Sequence, residues 1–169
     1  VTLQLRTHSV DATRAVGRAV AEHVRPGDLL LLAGELGAGK TAFAQGLGAG
    51  LGIREPVTSP TFVLAREYDD GRLVMNHLDV YRLDQINEVY DVGLLELLDE
   101  GGVTLVEWGD AIAPAVPADY LEVRLTFGED DDERRITLRS VGNGWAARER
   151  VLADALAEWK DGGGVGGSC

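Results

Sequence analysis

Cysteine is nearly absent from this chain. The one cysteine among 169 residues is the last, Cys169, so no internal disulfide can form. A reduced, cytoplasmic setting is the simple expectation, with Cys169 an inert tail thiol. Lysine is almost as scarce: of 16 basic side chains only Lys40 and Lys160 are lysines. Positive charge is short overall, with 28 acidic residues and a net charge of −12. That argues against binding nucleic acid autonomously, which needs a positive field, though not against work beside a basic partner that holds it. No apolar run has the length of a membrane span, and no basic, apolar leader opens the sequence. There is no internal repeat. The remaining composition, 45% hydrophobic and 26% charged, is that of an ordinary globule. One domain over residues 1–160 is expected, followed by a flexible glycine-rich tail over 161–169.

What the chain does have is Leu29-Leu30-Leu31-Leu32-Ala33-Gly34-Glu35-Leu36-Gly37-Ala38-Gly39-Lys40-Thr41. Four leucines read as a strand buried on both faces of a parallel sheet. Gly34 and Gly39-Lys40-Thr41 complete the phosphate-loop spacing G-x-x-x-x-G-K-[ST]. Its glycines free the backbone to wrap an anion, and the helix opening at Lys40 points its partial positive end at the same place. Lys40 is expected to reach the β- and γ-phosphates and the Thr41 hydroxyl to hold Mg2+. The nucleotide-binding candidates are therefore Glu35, Leu36, Gly37, Ala38, Gly39, Lys40, Thr41 and Ala42. A chain that otherwise uses arginine keeps lysine where a compact point charge fits among phosphates.

Before this loop, Leu3 to Thr7 read as a strand. Ser9 or Asp11 caps a helix with Ala12, Val16, Val20 and Val24 on one face. After it, Phe43, Leu47 and Leu51 mark a second core helix. Gly46, Gly48 and Gly50 weaken that helix, each by up to about 1 kcal/mol, and suggest close packing on the sheet; Gly52 is its natural end. Two prolines keep Glu55 to Leu64 extended, with hydroxyls at Thr58, Ser59 and Thr61. Such a loop either senses a γ-phosphate or is a plain connection. Asp69-Asp70-Gly71 predicts a tight hairpin ending in His77-Leu78-Asp79-Val80-Tyr81-Arg82, and a helix is expected from Asp84 to about Leu98. Val103 to Val106 form another buried strand, ending in Glu107-Trp108. Tyr120–Phe127 and Arg134–Ser140 alternate as an antiparallel hairpin with Leu121, Val123, Leu125 and Phe127 on one face. Trp145, Leu152, Leu156 and Trp159 line one side of a final helix. The fold class is thus α/β: a phosphate-loop NTPase fold with a mixed, largely parallel sheet, flanking helices and a C-terminal antiparallel hairpin.

Such an ATPase needs a carboxylate at the end of a neighbouring strand to hold Mg2+. Glu107 follows four strand residues and is the better match. Asp79 closes another strand and serves as a water or metal ligand, or simply caps the helix expected at Asp84.

In this order the blocks resemble the TsaE (YjeE) family. They are Gly34 to Thr41, Val57-Thr58-Ser59-Pro60-Thr61-Phe62, His77-Leu78-Asp79-Val80-Tyr81-Arg82-Leu83 and Val106-Glu107-Trp108, with Gly93-Leu94 between the last two. The resemblance covers about Leu3 to Trp108; the hairpin and last helix match only in kind. It implies a small P-loop ATPase of the bacterial machinery that makes threonylcarbamoyladenosine in tRNA beside the anticodon. It implies slow hydrolysis of ATP to ADP with Mg2+, and work with the TsaD transferase subunit and its TsaB partner, which the ATPase cycle resets. By position it gives phosphate and metal binding to Lys40 and Thr41, the metal to Glu107 and an active-site acid to Asp79. Thr61 falls in a switch-like loop and Trp108 beside the nucleotide. Arg82 is either a phosphate contact or a partner surface. Three rivals remain: a small-molecule kinase, for which no arginine-rich lid exists; a GTPase, for which N-K-x-D is missing; and a scaffold that binds nucleotide for structure alone.

Overall fold

The structure, a computed structural model, describes residues 2–59, 65–79, 94–107 and 116–162. Thr61, Arg82, Gly93, Trp108 and residues 163–169 of the expected tail lie outside them, as does most of the helix expected from Asp84. Seven strands form one sheet: β1 (Thr2–Thr7), β2 (Leu29–Ala33), β3 (Ala65–Tyr68), β4 (Met75–Asp79), β5 (Val103–Glu107), β6 (Tyr120–Phe127) and β7 (Arg134–Val141). Their spatial order is β1-β7-β6-β2-β5-β4-β3. The centre, β6-β2-β5-β4, is parallel, while β7, β1 and β3 attach antiparallel to their neighbours. The expected C-terminal hairpin is therefore part of the main sheet, with β6 directly beside β2.

The leucine run splits by the two-residue period of a strand. Leu30 and Leu32 face a core shared with α1 (Val10–Ala21) and α2 (Lys40–Gly50). Leu29 and Leu31 face Leu78, Val106 and Tyr120, with Leu97 and Leu98 of α3 (Leu94–Asp99) packed against them. Burial on both faces is what an unbroken apolar strand requires, and it fixes β2 at the middle of the sheet.

Ser9 caps α1, its Oγ accepting from the Ala12 amide at 3.0 Å. The glycines of α2 do pack closely, but Gly46 and Gly50 meet α1 rather than the sheet. A side chain at Gly46 would overlap the Arg14 backbone, one at Gly50 the Ala21 Cβ, and one at Gly17 the Phe43 carbonyl. Gly48 alone of the three turns toward Val57 and Met75. The two helices cross on backbone contacts, which offsets their weak propensity. Gly52 ends α2 with φ of 82°, and Ile53 N–H donates to Gly48 O at 3.0 Å, closing a Schellman turn.

Two expectations need correction. The connection at Asp69-Asp70-Gly71 is no tight turn, since β3 ends at Tyr68 and β4 begins at Met75. It is tied to the end of α2 instead of closing on itself. Asp70 accepts from the Arg54 and Glu55 amides at 2.9 and 3.2 Å, and Arg72 N–H donates to Leu51 O at 2.7 Å. The final helix is broken into α4 (Asn143–Ala146), α5 (Glu149–Ala155) and a 3-10 turn, Ala157–Trp159, although Trp145, Leu152 and Leu156 do share the core. At the first break Arg148 is buried over the Trp145 ring, 3.9 Å away. It donates to both Asp28 oxygens, at 2.6 and 2.8 Å, and to His23 O at 2.9 Å. This clamp holds the C-terminal helices to the turn that launches β2. Arg148→Ala leaves the largely buried Asp28 carboxylate with only the Arg25 amide, 2.7 Å away, so unfolding in urea should show a loss of about 3 kcal/mol; a change below the ordinary surface range of about 0.5 kcal/mol would contradict the clamp.

Candidate functional site

Chain direction puts the C-terminal ends of β2, β4 and β5 on one edge of the sheet, where open α/β sheets carry their ligand sites. From β2 the chain turns through Gly34 to Gly39 into α2. Gly34 and Gly39 have φ of 150° and 107°, which side chains rarely adopt, and a Cβ on Gly34 would lie 2.5 Å from Leu125 O. Lys40 reaches back across the loop, only 6% exposed, and its Nζ donates to Gly34 O at 2.6 Å. Glu35, Leu36 and Gly37 form the exposed crest, with Leu36 86% exposed. Ala38 is buried beneath it, and Thr41 and Ala42 are half-buried in the first turn of α2. The loop leads into an eleven-residue helix, a geometry able to bind an anion.

The two carboxylates stand together at the adjoining strand ends. Asp79 of β4 is the register partner of Glu107 of β5, and Glu107 is the partner of Leu32 of β2. Alternation places Met75, Leu105, Leu30 and Leu32 on the α2 side of the sheet, so His77, Asp79 and Glu107 share that side. Asp79 is 5% exposed and Glu107 2%. Ser59 Oγ donates to Glu107 Oε2 at 3.4 Å, and His77 Nε2 stands 3.3 Å from Glu107 Oε1. Asp79 Oδ1 and Glu107 Oε1 are buried without a hydrogen bond among the described residues. Such orphaned acceptors beside a lysine-bearing loop fit a cation. Among the described residues no cluster of three or more His, Cys, Asp or Glu is disposed to hold a metal alone.

Burial, and next the charge of Glu107, raises the Asp79 carboxyl above its ordinary range; Lys40 and His77 pull it back without cancelling. A raised folded pKa means the folded state holds that proton more tightly than the unfolded chain. The linked stability is full below the unfolded pKa and is lost as pH rises through the folded one. Ionised Asp79 thus costs stability at neutral pH. In the ligand-free protein Asp79→Asn should raise Tm at pH 8, by a margin that shrinks toward pH ~4; a Tm at pH 8 equal to or below that of the unchanged protein would refute this.

The structure also brings in residues that the sequence reading passed over. A crevice beside the loop is lined by Val10 and Thr13 of α1, Gly37, Gly39, Ala42 and Arg134. Arg134 lies 4.8 Å over the Phe127 ring and donates to Gly37 O at 3.4 Å. Phe127, expected on the core face of its strand, is half-exposed there. Gln45 of α2 donates to Val57 O at 3.1 Å and accepts from Arg14 at 3.0 Å, pinning the start of the proline-bounded segment. No local pattern marks these contacts.

A glycine loop running from a central parallel strand into a helix, with acids closing the next two strands, defines a P-loop NTPase fold. The model of the family described as threonylcarbamoyl adenosine biosynthesis protein TsaE matches residues 7–136. The Bacillus subtilis tRNA threonylcarbamoyladenosine biosynthesis protein TsaE is 44% identical over 155 residues, 92% of this chain and 94% of that protein. The protein of the same name from Streptomyces coelicolor is 43% identical over 83% of this chain and 99% of its own. The crystal structure of Bacillus subtilis YdiB superposes with a TM-score of 0.76 at 37% identity, covering 94% of this chain and 95% of that one. The chain belongs to the TsaE family. No helix among the described residues is long and apolar enough to cross a membrane.

Proposed function

We propose that this chain is the ATPase subunit of tRNA threonylcarbamoyladenosine biosynthesis, a cytoplasmic protein of one ATPase domain acting on the modification beside the anticodon. It binds Mg-ATP, hydrolyses it slowly to ADP, and resets a TsaD–TsaB transferase complex between turnovers. The observation that carries the reading is the pairing of Asp79 with Glu107 at the strand ends next to the Lys40 loop. The glycine loop and Lys40 bind and orient the phosphates. Thr41 and Glu107 would hold the Mg2+, whose chemistry is to neutralise charge on the β- and γ-phosphate oxygens. Asp79 aligns water or supports the metal. The net charge of −12 suits a subunit that leaves the tRNA to its partners.

The test is reconstitution of the modification with TsaD and TsaB. With the chain and ATP, product should accumulate over many turnovers; without either, synthesis should stall near one. Equal multiple-turnover synthesis with and without the chain, and no stimulation of ATP hydrolysis by the pair, would overturn the proposal. Phosphate transfer to a metabolite, faster than hydrolysis, would make the protein a kinase instead.

A further inference from the structure

We infer that His77 is a positioning residue, fixed in the sheet so that it donates to the Glu107 carboxylate and sets its angle once the site is filled; this rests on the nucleotide reading above. His77 lies in the middle of β4 and is wholly buried. Its register partner is Leu105, and the chain continues through Leu78 to Asp79. Met75 precedes it on the same side, in the core. An apolar residue there would satisfy packing at no polar cost, whereas a buried imidazole carries two polar nitrogens that want partners. Nδ1 has no hydrogen-bond partner among the described residues, and Nε2 faces one acceptor, Glu107 Oε1, at 3.3 Å.

Nε2 is the nitrogen that looks toward an acceptor and so the one placed to donate. The contact is long and off-line and is not a full hydrogen bond in the ligand-free protein. Such contacts commonly tighten when a site fills. The second oxygen of Glu107 is met by Ser59, which belongs to the segment before β3 rather than to a strand. One oxygen of the carboxylate therefore meets a loop hydroxyl, and the other faces a side chain locked in the sheet. His77 is the pivot, and the loop contact can exchange without losing the aim of the carboxylate. The ring reaches this place because β4 and β5 are parallel and in register, so His77 sits one pleat below Asp79 and meets Glu107 diagonally.

The experiment compares His77→Leu, His77→Asn and His77→Gln in the full chain, by calorimetric ADP titration with and without Mg2+, Mg2+ dependence of hydrolysis, and Tm. A glutamine amide nitrogen reaches the position of Nε2; asparagine stops near Nδ1. Expected for His77→Leu is metal-free ADP affinity and Tm no lower than in the unchanged protein, with a Mg2+ requirement raised about 10-fold, the scale of a lost partner to a metal ligand. Glutamine should restore most of that loss and asparagine should not. Unaltered Mg2+ dependence in His77→Leu, or equal impairment in the glutamine and asparagine variants, would overturn the inference. Should the leucine variant fail to fold, the difference between glutamine and asparagine decides alone. If the unchanged protein binds no nucleotide, the proposed function itself falls, and this inference with it.

Discussion

Replacing Lys40 by alanine should abolish measurable ATP and ADP binding while the protein stays folded. The ammonium is the one lysine charge in or near the loop, since the other lysine, Lys160, pairs its backbone with Leu5 of β1. It is almost buried and already aimed along the loop, with Gly34 O at 2.6 Å. A phosphate entering the cradle gains charge-assisted hydrogen bonds at about 1.5–3 kcal/mol each. Losing two of them weakens binding by at least about 100-fold. Folding tolerates the change because Gly34 is half-buried, so water replaces the lost donor to its carbonyl. Lys40→Arg should fail as well, because a planar fork is too large for a cradle shaped around a point charge. Fluorescent nucleotide titration and circular dichroism of both variants settle the matter. Micromolar binding in a folded Lys40→Ala protein would refute the role.

The loop was legible because its determinants are local. Four leucines, glycines at fixed offsets and one lysine dictate strand, turn and helix without help from the rest of the chain. Asp79 and Glu107 were legible only as strand ends. That they stand opposite each other depends on how β4 and β5 register, and sequence alone does not reveal that. The contact of His77 with Glu107 depends on the same register. The glycines of α2 announced close approach but not its partner. The answer lay in Gly17 and Arg14 of α1, some thirty residues earlier. Local patterning also misjudged the C-terminal end, where Trp145, Leu152 and Leu156 are spaced as for one helix. The helix breaks beside Arg148, whose guanidinium is held by Asp28, an acid far away in sequence. Helical periodicity reads which residues face the core; it does not read a long-range ion pair that outweighs continuity of the helix. Phe127 fails in the same way: its strand alternates correctly, but at its level the sheet has run out of core and the ring lies beside Gly37 and under Arg134.

Glu107→Ala is expected to separate binding from turnover. Metal-free ADP affinity should stay within a few-fold of the unchanged protein, because Glu107 lies at the end of β5 and is not part of the phosphate cradle. Mg2+-dependent hydrolysis should fall by about 100-fold or more, since the metal's neutralisation of phosphate charge is worth several kcal/mol and each 1.36 kcal/mol is tenfold in rate. Removal of the carboxylate also relieves the like charge beside Asp79, so the variant should melt no lower than expected for a truncated buried side chain. Glu107→Gln keeps the shape and the Ser59 contact but not the charge. If charge is what matters, glutamine should hydrolyse as slowly as alanine. If glutamine instead restores turnover, Glu107 acts as a spacer and the metal role passes to Asp79, the other acid at this edge with an orphaned oxygen. Wild-type hydrolysis in both variants would leave neither reading standing. Single-turnover hydrolysis over a Mg2+ series, alongside ADP titrations in chelator, distinguishes the three outcomes.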